Sequence, residues 1–379
     1  MKIKSIESFI LSDKLKESFY FSQWEYSERR ICIVKVTSDS GHVGWGEGYG
    51  PAEVIRAGIE HLTQFIVGQN PLETETIWSI MYRRTLDFAR RGILVSALSA
   101  IDVALWDLKG KLLEQPVHLL LGGKKQDKII PYATGMYFSK GNGEHLGDIL
   151  AKEARQYAEL GFKAMKMKVG LCIEDDIENV KKVREAIGPD IELMIDANHA
   201  YNLREAIYLA KAVEPFNIFW FEEPISPEYY EQYAELRSKT TIPIAGGECE
   251  YLRFGFQTLL KSKSVDIVQP DICATGGLTE AKRIAVLASV YGVEVVPHTW
   301  GTGIAIAAAT HFISNLDTFP GRMKKPVFYL EYDRTENGLR DALTTTKMVA
   351  KDGVIEISDE PGLGFELNED ALKKYTLKD

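Results

Sequence analysis

The feature that most constrains the fold is a repeated alternation, from about residue 128 onward, between a short apolar run and an amphipathic stretch. Eight such runs recur at intervals of about 25 to 35 residues, the length that a strand, a helix and two loops need. They read IIPYATG, KAMKMKVG, ELMIDAN, IFWFEEP, IPIAGGE, DIVQPD, EVVPHT and VFYLEY. Because strands that alternate with helices form parallel sheets, the pattern predicts an α/β fold, a (β/α)8 barrel of the TIM type over residues 128–350.

Helical periodicity separates most of these runs. Apolar residues at 3.6-residue spacing predict helices at residues 146–160, 175–187, 203–213, 228–237 and 279–291, whereas the last helix of the repeat is not evident. The alternative fold is an open, doubly wound parallel sheet, which commonly carries a GxGxxG turn after its first strand. No such turn follows the first run, so the barrel is the preferred interpretation.

The segments on either side of the repeat have a different pattern. The first contains strand-like runs, IESFIL and ICIVKVTSDSGHVGWGEG, with a turn at Ser40 and Gly41. Helical patterns follow at residues 52–68, 72–83 and 93–111. We interpret residues 1–127 as an α+β capping domain. The tail, residues 351–379, holds a strand-like VIEIS and is predicted to return to this domain.

Composition and charge exclude several classes of protein. A net charge of −9 and a pI near 5.5, without a Lys/Arg cluster, argue against nucleic-acid and anionic-membrane partners. No run approaches the roughly 20 apolar residues of a membrane helix, and the N-terminus lacks the apolar core of a signal peptide. The sequence therefore predicts a soluble, cytoplasmic protein. The cysteines lie far apart and are interpreted as small buried hydrophobic residues: Cys32, Cys172, Cys249 and Cys273.

Polar residues are concentrated at the carboxyl ends of the predicted strands. In a parallel barrel these ends meet at one mouth, where active sites lie. A single carboxylate at a strand end often only caps the next helix, but that explanation would have to hold for every unit of the repeat. The residues concerned are Lys166, Lys168, Asp196, Glu222, Glu248, Asp271, His298 and Glu331.

Three of these carboxylates form a candidate metal site. They lie at the ends of three successive predicted strands, at positions that are 26 apart: Asp196, Glu222 and Glu248. Converging anions repel one another strongly unless a cation lies between them. Carboxylate oxygens without Cys or His favour a hard divalent ion, with Mg²⁺ preferred and Mn²⁺ as the alternative. Strand alternation directs the next residue, Glu223, away from this site.

Two further pairs suit proton transfer. Alternation in KAMKMKVG places Lys166 and Lys168 on the inner side of their strand, and two neighbouring ammonium groups lower each other's pKa, which favours a lysine base. Asp271 and His298 come from adjacent strands. An Asp that accepts from one imidazole nitrogen makes the other nitrogen an acid or a base. His199, by contrast, is interpreted as a loop residue.

Together these residues resemble the mandelate racemase subgroup of the enolase superfamily. The matching motifs are KxK, D, EEP, GGE, QPDxxxxGG, PHTW and LEYD on strands two to eight, with SALSAIDVALWDLKGK and LLLGG in the capping domain. The resemblance covers nearly the whole chain. It departs from common members at Cys249, where a polar residue is frequent, and at Gly338, where Pro is commoner. It implies that the three carboxylates bind Mg²⁺, which chelates a substrate carboxylate and stabilises the enediolate formed when the α-proton leaves.

The resemblance also implies roles for the other groups. Lys168 would be the base on one face of the substrate, and Lys166 would neutralise the substrate carboxylate. His298 with Asp271 would be the acid or base on the opposite face. Glu331, in its protonated form, would donate to a carboxylate oxygen of the intermediate.

The reaction then depends on the fate of the enediolate. If the substrate carries a 3-hydroxyl, syn or anti loss of that group gives a 2-keto-3-deoxy acid, which would make the protein an acid-sugar dehydratase, a lyase. Return of a proton to carbon would make it a racemase or epimerase of a 2-hydroxy acid, an isomerase. A non-catalytic, metal-stabilised binding protein is a remote third hypothesis. Most family members with these motifs act on acid sugars, so the resemblance favours the dehydratase.

Specificity is expected to come from the capping domain. Residues 13–30, DKLKESFYFSQWEYSERR, are predicted to form a lid over the mouth, with an ordinary strand connection as the alternative. Tyr20 and Trp24 in this segment, Tyr49 in EGYGP, and Asn198 after the first predicted metal ligand are candidate substrate contacts. The partner is expected to be a small hydroxylated carboxylate, and the resemblance implies a homo-oligomer.

Overall fold

The capping domain is built on a three-stranded antiparallel sheet. The computed structural model describes residues 1–126, 128–139, 143–317, 327–346 and 353–377. The sheet contains β1 (Ile3–Phe21), β2 (Trp24–Ser38) and β3 (Val43–Gly48), and α1 (Ala52–Ile66), α2 (Thr74–Thr85), α3 (Ile93–Leu113) and α4 (Val117–Leu120) follow it. The predicted turn lies between β2 and β3, where Gly41 has a left-handed φ of 88°. The three helices predicted here are confirmed as α1, α2 and α3.

Helix α3 packs directly against β3 because the strand carries glycine at the contact points. A Cβ atom on Gly44 would collide with the carbonyl oxygen of Ala104, and one on Gly46 would collide with that of Ala100. Most of α3 is buried, as expected for a helix that is apolar on nearly all sides. The helix therefore forms the core of the cap and also packs against the barrel.

Eight parallel strands form the predicted barrel. They are β4 (Lys128–Thr134), β5 (Ala164–Lys168), β6 (Glu192–Asp196), β7 (Ile218–Glu222), β8 (Ile244–Gly246), β9 (Ile267–Val268), β10 (Glu294–Val295) and β11 (Tyr329–Asp333). Hydrogen bonds connect them in the order β10, β9, β8, β7, β6, β5, β4, β11. Side chains from seven of these strands and from Val296, directly after β10, form one buried cluster that brings the two end strands together: Tyr132, Ala164, Met194, Trp220, Ala245, Ile267, Val296 and Tyr329. The predicted α/β barrel fold is confirmed.

Helices alternate with these strands. They are α5 (Leu146–Glu159), α6 (Ile173–Ile187), α7 (Leu203–Val213), α8 (Tyr230–Arg237), α9 (Leu252–Lys261), α10 (Gly277–Tyr291), α11 (Gly303–Ser314) and α12 (Gly338–Ala342). The five helices predicted in the barrel correspond to α5, α6, α7, α8 and α10. Helices α9 and α11 were not predicted. Every residue of α11 is buried, so this helix lacks an amphipathic pattern, whereas α9 is amphipathic and its apolar spacing did offer a signal.

The tail contacts both domains. Strand β12 (Ile355–Glu356) pairs antiparallel with β4 of the barrel. Helix α13 (Glu369–Tyr375) lies against β1, and the backbone N–H of Leu377 donates to the carbonyl oxygen of Ile10 at 2.9 Å. The predicted domain boundaries, at residue 127 and at residues 350–351, lie outside the described residues.

Two surface properties were also predicted. In the described ranges no helix has the length and apolar character needed to cross a lipid bilayer.

Cys32 and Cys273 are buried, whereas Cys172 and Cys249 are exposed. The prediction of buried cysteines is wrong for the latter two, because they lie in loops beyond the ends of β5 and β8.

Two buried carboxylates of the cap bind the N-terminal ends of barrel helices. Asp102 of α3 accepts hydrogen bonds from the backbone N–H and the hydroxyl of Thr279, in the first turn of α10, at 2.9 and 2.7 Å. Glu47 of β3 accepts from the backbone N–H of Thr302, which caps α11, at 3.0 Å. Unpaired N–H groups and the helix dipole favour negative charge at these positions. The cap therefore fixes the loops that follow β9 and β10.

We expect Asp102→Ala to lower the free energy of unfolding by about 2–4 kcal/mol, because Thr279 loses the buried acceptor of two hydrogen bonds. Urea unfolding followed by tryptophan fluorescence measures the loss. Glu235→Ala, on the exposed surface of α8, is the matched control and should change stability by less than about 0.5 kcal/mol. Equal stability of Asp102→Ala and the wild type would show that this contact does not hold the cap.

Candidate active site

The strand register brings the predicted residues to one level of the barrel. Strands β5, β6 and β7 end at Lys168, Asp196 and Glu222, and the pairing places Lys168 beside Asp196 and Asp196 beside Glu222. The others follow the next strands: Glu248 two residues beyond β8, Asp271 three beyond β9, His298 three beyond β10, and Glu331 within β11. The structure therefore gathers at one mouth the residues predicted to bind metal and to transfer protons.

The two lysines are held among the carboxylates. The Lys166 Nζ atom donates to Glu222 Oε1 and lies 2.9 Å from Glu331 Oε1. It is also 3.7 Å from Asp196 Oδ2. The Lys168 Nζ atom donates to the same Asp196 oxygen at 2.5 Å. Both lysines are almost fully buried, so these contacts compensate charges that water cannot reach.

Asn198 is bound to the same group. Its backbone N–H donates to Asp196 Oδ1 at 3.0 Å, and its side-chain oxygen accepts from Lys168 Nζ at 2.8 Å. The backbone at Asn198 has a left-handed φ of 40°, which turns the chain at the end of β6 and keeps the amide in the mouth. Its predicted contact with substrate stays a prediction.

The electrostatics differ from the sequence expectation at two groups. Burial lowers the pKa of Lys166, but Glu222 and Glu331 outweigh burial and hold this pKa well above its usual value. The expected lowering by the neighbouring lysine is therefore wrong for Lys166. Burial raises the pKa of Glu331, but Lys166 and His298 lower it to about 2. The prediction of a protonated, donating Glu331 is also wrong, because this carboxylate lies 2.9 Å from Lys166 Nζ and accepts hydrogen bonds from Thr134 Oγ1 at 2.7 Å and from the backbone N–H of Thr299 at 3.1 Å.

The donor set suits a hard divalent cation. The mouth holds five carboxylates against three cationic side chains, which leaves two negative charges uncompensated: Asp196, Glu222, Glu248, Asp271 and Glu331 against Lys166, Lys168 and His298. Burial raises the pKa of Glu222 to about 7, and the neighbouring carboxylates add to the rise although Lys166 opposes it. A divalent cation bound through oxygen would relieve this repulsion. The residues predicted to hold Mg²⁺ therefore fit that ion.

His298 is fixed through one ring nitrogen and faces the mouth with the other. Its Nδ1 lies 2.6 Å from Asp271 Oδ2, and the other oxygen of Asp271 accepts the backbone N–H of Cys273 at 2.7 Å. Its Nε2 lies 3.4 Å from Glu248 Oε2 and 3.9 Å from Glu331 Oε2. Burial lowers the pKa of His298, but Glu248, Glu331 and Asp271 outweigh burial and raise the pKa to about 10. In protein without a bound metal ion the imidazole is therefore protonated at neutral pH.

The predicted lid is the outer part of the β1–β2 hairpin. Cross-strand pairing places four aromatic residues on one face of the hairpin, Phe19 opposite Tyr26 and Phe21 opposite Trp24. Phe19 and Phe21 contact both Tyr137 and Trp300 of the barrel, and Tyr26 contacts Trp300, with ring centroids 4.6 to 6.4 Å apart. The Lys168 Nζ atom lies 5.0 Å from the centre of the Phe21 ring, so the hairpin covers this side of the mouth.

The other predicted substrate contacts lie in different places. Tyr20 is on the opposite face of the hairpin, where its hydroxyl donates to Glu25 Oε1 at 2.9 Å. Its predicted substrate contact is wrong, because alternation along β1 turns it away from the mouth. Trp24 lies at the hairpin tip with 53% of its surface exposed. The Tyr49 ring lies 5.1 Å from the ring of His298. The contacts of Trp24 and Tyr49 with substrate stay predictions.

Arg29, for which no role was predicted, joins the lid to the barrel. Its guanidinium lies 2.7 Å from Asp333 Oδ2, and both side chains are buried. It also lies over the Trp300 ring, 4.1 Å from the ring centre. A single arginine among the charges of the lid carries no pattern in sequence that would distinguish it from a surface residue.

Two donors that bind Glu222 were also missed. Gln269 Nε2 and Trp220 Nε1 donate to Glu222 Oε2 at 2.6 and 2.9 Å. Trp220 precedes Glu222 by two residues, and Gln269 precedes Asp271 by two. Strand alternation therefore offered a signal, because residues two apart face the same side.

Cavity size alone does not identify this site. A cavity of about 470 Å³ opens beside the lid and is lined in part by Tyr26, Tyr49 and Trp300. A larger one, about 960 Å³, lies at the opposite ends of the strands, near Glu192 and Ile267. The larger cavity is remote from the lysines and from His298. The convergence of buried charges, not volume, defines the mouth as the candidate active site.

Fold and site together define a class of protein. The chain is a capped α/β barrel in which buried lysines and a His-Asp pair stand on either side of a carboxylate cluster that suits a divalent cation. The cap carries an aromatic hairpin that covers the mouth.

Comparisons with known proteins identify the family. Residues 5–122 match the mandelate racemase / muconate lactonizing enzyme N-terminal domain, and residues 149–371 match the enolase C-terminal domain-like family. The chain is 41% identical to D-galactarolactone cycloisomerase of Agrobacterium fabrum across the whole of both chains. It is 34% identical to arabinonate dehydratase of Saccharolobus solfataricus, over 92% of this chain and 91% of that protein.

A solved structure is similar over the same length. The crystal structure of the 3,6-anhydro-D-galactonate cycloisomerase from Zobellia galactanivorans superimposes with a TM-score of 0.91, at 52% identity and with complete coverage of both chains. The protein therefore belongs to the enolase superfamily, in its mandelate racemase subgroup, and is an enzyme of that family.

The raised pKa of His298 predicts a dependence of stability on pH in protein freed of metal by a chelator. The folded state binds this proton more tightly than the unfolded chain, because the pKa rises from 6.5 to about 10 on folding. The stabilisation is complete below about pH 6.5 and is lost as the pH rises towards 10, by up to about 1.4 kcal/mol per pH unit.

Urea unfolding of the wild type and of His298→Gln, measured from pH 6.5 to pH 10, tests this dependence. The difference in unfolding free energy between the two proteins should shrink as the pH rises. The exposed His61→Gln is the control and should follow the wild type. A difference that stays constant over this range would contradict the raised pKa.

Proposed function

We propose that this enzyme catalyses a Mg²⁺-dependent β-elimination from a sugar acid. The proton on the carbon next to the carboxylate is removed, and the oxygen on the following carbon leaves. The observation that carries the proposal is the placement of two proton-transfer groups on different strands of one buried mouth, Lys168 on β5 and the His298–Asp271 pair beyond β9 and β10. The relatives named as sugar-acid enzymes support the substrate class.

Lys168 is proposed as the base. As a neutral amine, its Nζ atom would accept the α-proton, while Asp196 and Asn198, at 2.5 and 2.8 Å, hold the amine in position. Lys166 keeps its positive charge because carboxylates surround it, so it would bind the substrate carboxylate rather than remove a proton. The two lysines would thus have different roles although they lie two residues apart.

His298 is proposed as the acid. Asp271 holds Nδ1, which leaves the proton on Nε2 directed into the mouth for transfer to the departing oxygen. Glu331, held ionised by Lys166, would position that lysine and the imidazole. Asp196, Glu222 and Glu248 would hold Mg²⁺, which when bound supplies positive charge to the substrate carboxylate as negative charge develops on it.

Dehydration and ring opening are two outcomes of the same elimination. The pair left by the α-proton forms a double bond to the β carbon as the β carbon–oxygen bond breaks, and the resulting enol becomes a 2-keto-3-deoxy acid. When the leaving oxygen is a free hydroxyl, water is lost and the reaction is a dehydration. When that oxygen belongs to a lactone or ether ring, the ring opens and the product is an isomer of the substrate.

A cyclic sugar acid is the preferred substrate. The support is the 52% and 41% identity to two enzymes whose names are cycloisomerases of an anhydro sugar acid and of a sugar-acid lactone. Dehydration of an open-chain acid sugar, the reaction favoured by the sequence motifs, is the second candidate and is supported by the 34% identity to arabinonate dehydratase. Racemisation would use the same two groups without loss of the β oxygen.

A substrate comparison distinguishes these reactions. We expect enzyme with Mg²⁺ to convert 3,6-anhydro-D-galactonate or D-galactarolactone to a 2-keto acid of unchanged mass, detected with semicarbazide and by mass spectrometry. Chelation of the metal should stop the reaction, and added Mg²⁺ should restore it. Water loss from arabinonate but no reaction of the cyclic acids would favour the dehydratase. Inversion of the α carbon in D2O without elimination would establish a racemase and overturn the proposal.

Two variants separate the base from the acid. We expect Lys168→Ala to reduce both exchange of the α-proton in D2O and product formation by about 10² to 10⁴, because the base is lost. His298→Asn should slow product formation by a similar factor but leave exchange measurable, since Lys168 remains. Lys163→Ala, exposed just before the same strand, is the matched control and should retain full activity. Unchanged activity in Lys168→Ala would rule out its assignment as the base.

A further inference from the structure

We propose that His199, Glu223 and Cys249 form a second metal site, suited to Zn²⁺ or a similar thiophilic cation, at the rim of the barrel mouth. We call these three residues the rim cluster. One ligand atom from each, the imidazole nitrogen, a carboxylate oxygen and the thiol sulfur, lies within 4.8 Å of the other two. The proposal does not depend on the reaction that the enzyme catalyses.

The same strand ends that carry the predicted Mg²⁺ ligands build the rim cluster. Glu223 and Cys249 directly follow two of those ligands, and His199 lies three residues after the third. The backbone leaves the strands through left-handed conformations, with φ of 68° at His199 and 41° at Glu223. A hydrogen bond of 2.8 Å from the His199 N–H to the Glu223 carbonyl oxygen ties the two loops together. The rim cluster is therefore part of the barrel frame.

The distances match those between ligands of one tetrahedral ion. His199 Nε2 lies 3.2 Å from Glu223 Oε2 and 3.6 Å from Cys249 Sγ. With zinc–ligand distances of 2.0 to 2.3 Å, tetrahedral angles separate nitrogen from oxygen by about 3.4 Å and nitrogen from sulfur by about 3.6 Å. The imidazole nitrogen thus lies at the spacing of zinc ligands from both of its partners, and the carboxylate oxygen and the thiol sulfur lie within 4.8 Å of each other.

The carboxylate of Glu223 also lacks adequate compensation. Its side chain is 1% exposed, and Oε2 receives no hydrogen bond of acceptable geometry although His199 lies nearby. Burial makes an ionised Glu223 costly, and the neighbouring Glu248 and Asp196 add repulsion that the contact with His199 at 3.2 Å does not offset. A cation shared with His199 and Cys249 would compensate the charge of Glu223 directly.

The ligand chemistry separates the rim cluster from the Mg²⁺ site. Thiolate and imidazole ligands select zinc and related transition metals, whereas the three oxygen ligands of the Mg²⁺ site select a hard ion. Cys249 is exposed, so a cation has access from solvent and its fourth position can be taken by water.

Cobalt spectroscopy tests the proposal without an activity assay. The full-length protein is kept reduced and saturated with Mg²⁺, and Co²⁺ is then added. We expect one equivalent of Co²⁺ to produce a thiolate-to-cobalt charge-transfer band together with the intense visible bands of a tetrahedral site. Zn²⁺ should abolish both signals, because it competes for the same ligands. The oxygen ligands of the Mg²⁺ site cannot give the sulfur band.

Variants assign the signal to the rim cluster. Cys249→Ser should remove the charge-transfer band, and Cys172→Ser, the other exposed cysteine, is the matched control that should retain it. Glu223→Gln preserves the side-chain shape and should weaken Co²⁺ binding at least about tenfold, since even the loss of a supporting hydrogen-bond partner has that effect. Circular dichroism confirms that each variant is folded.

Three results would overturn the proposal. These are the absence of a sulfur band in the wild type, its persistence in Cys249→Ser, and its loss in proportion to added Mg²⁺, which would mean that both metals share a single site. Equilibrium dialysis with Zn²⁺ provides a second count of the bound metal. One Zn²⁺ per chain in the presence of excess Mg²⁺ is the expected value.

Discussion

The arrangement of the mouth depends on the compensation of buried charge around Lys166. Its ammonium group is in contact with Glu222 and Glu331 and lies near Asp196, and none of these side chains is accessible to water. Because an unpaired charge in such a place would cost several kcal/mol, each member fixes the position of the others. The parallel register supplies the geometry, since neighbouring strands end at the same level. The excess of carboxylates over ammonium groups then creates the demand for a divalent cation.

The cap contributes to the site in two ways. Its hairpin covers the mouth with aromatic rings, and its buried carboxylates bind the helices that follow β9 and β10. Glu47 and Asp102 thus act on the loops that carry the His-Asp pair, although neither lies in the mouth. The cap and the barrel therefore build the site together, and two relatives match the chain over the length of both domains.

The sequence was sufficient for the barrel and for the residues that meet at its mouth, because strand alternation and strand order determine both. The sequence was insufficient for properties that depend on contacts between residues far apart in the chain. The pKa of Lys166 and the ionisation of Glu331 depend on which carboxylates lie within 3 to 4 Å, and strand position does not reveal this. The ion pair between Arg29 and Asp333 could not be predicted, because it depends on the position of the β1–β2 hairpin over the barrel. The uniformly buried α11 had no periodic pattern to detect. The error at Tyr20 was different, since alternation with Phe19 and Phe21 already indicated its direction.

The anchoring of the hairpin by Arg29 has a thermodynamic consequence for ligand binding. The guanidinium is buried between Asp333 and the Trp300 ring, so the hairpin is ordered by contacts that form during folding and do not involve a ligand. A flexible flap would have to lose its conformational entropy each time it closed, at about 1–2 kcal/mol for the backbone of each residue that becomes ordered. A hairpin that is already ordered avoids that loss. The binding free energy of a small, polar acid is then not reduced by the ordering of the lid.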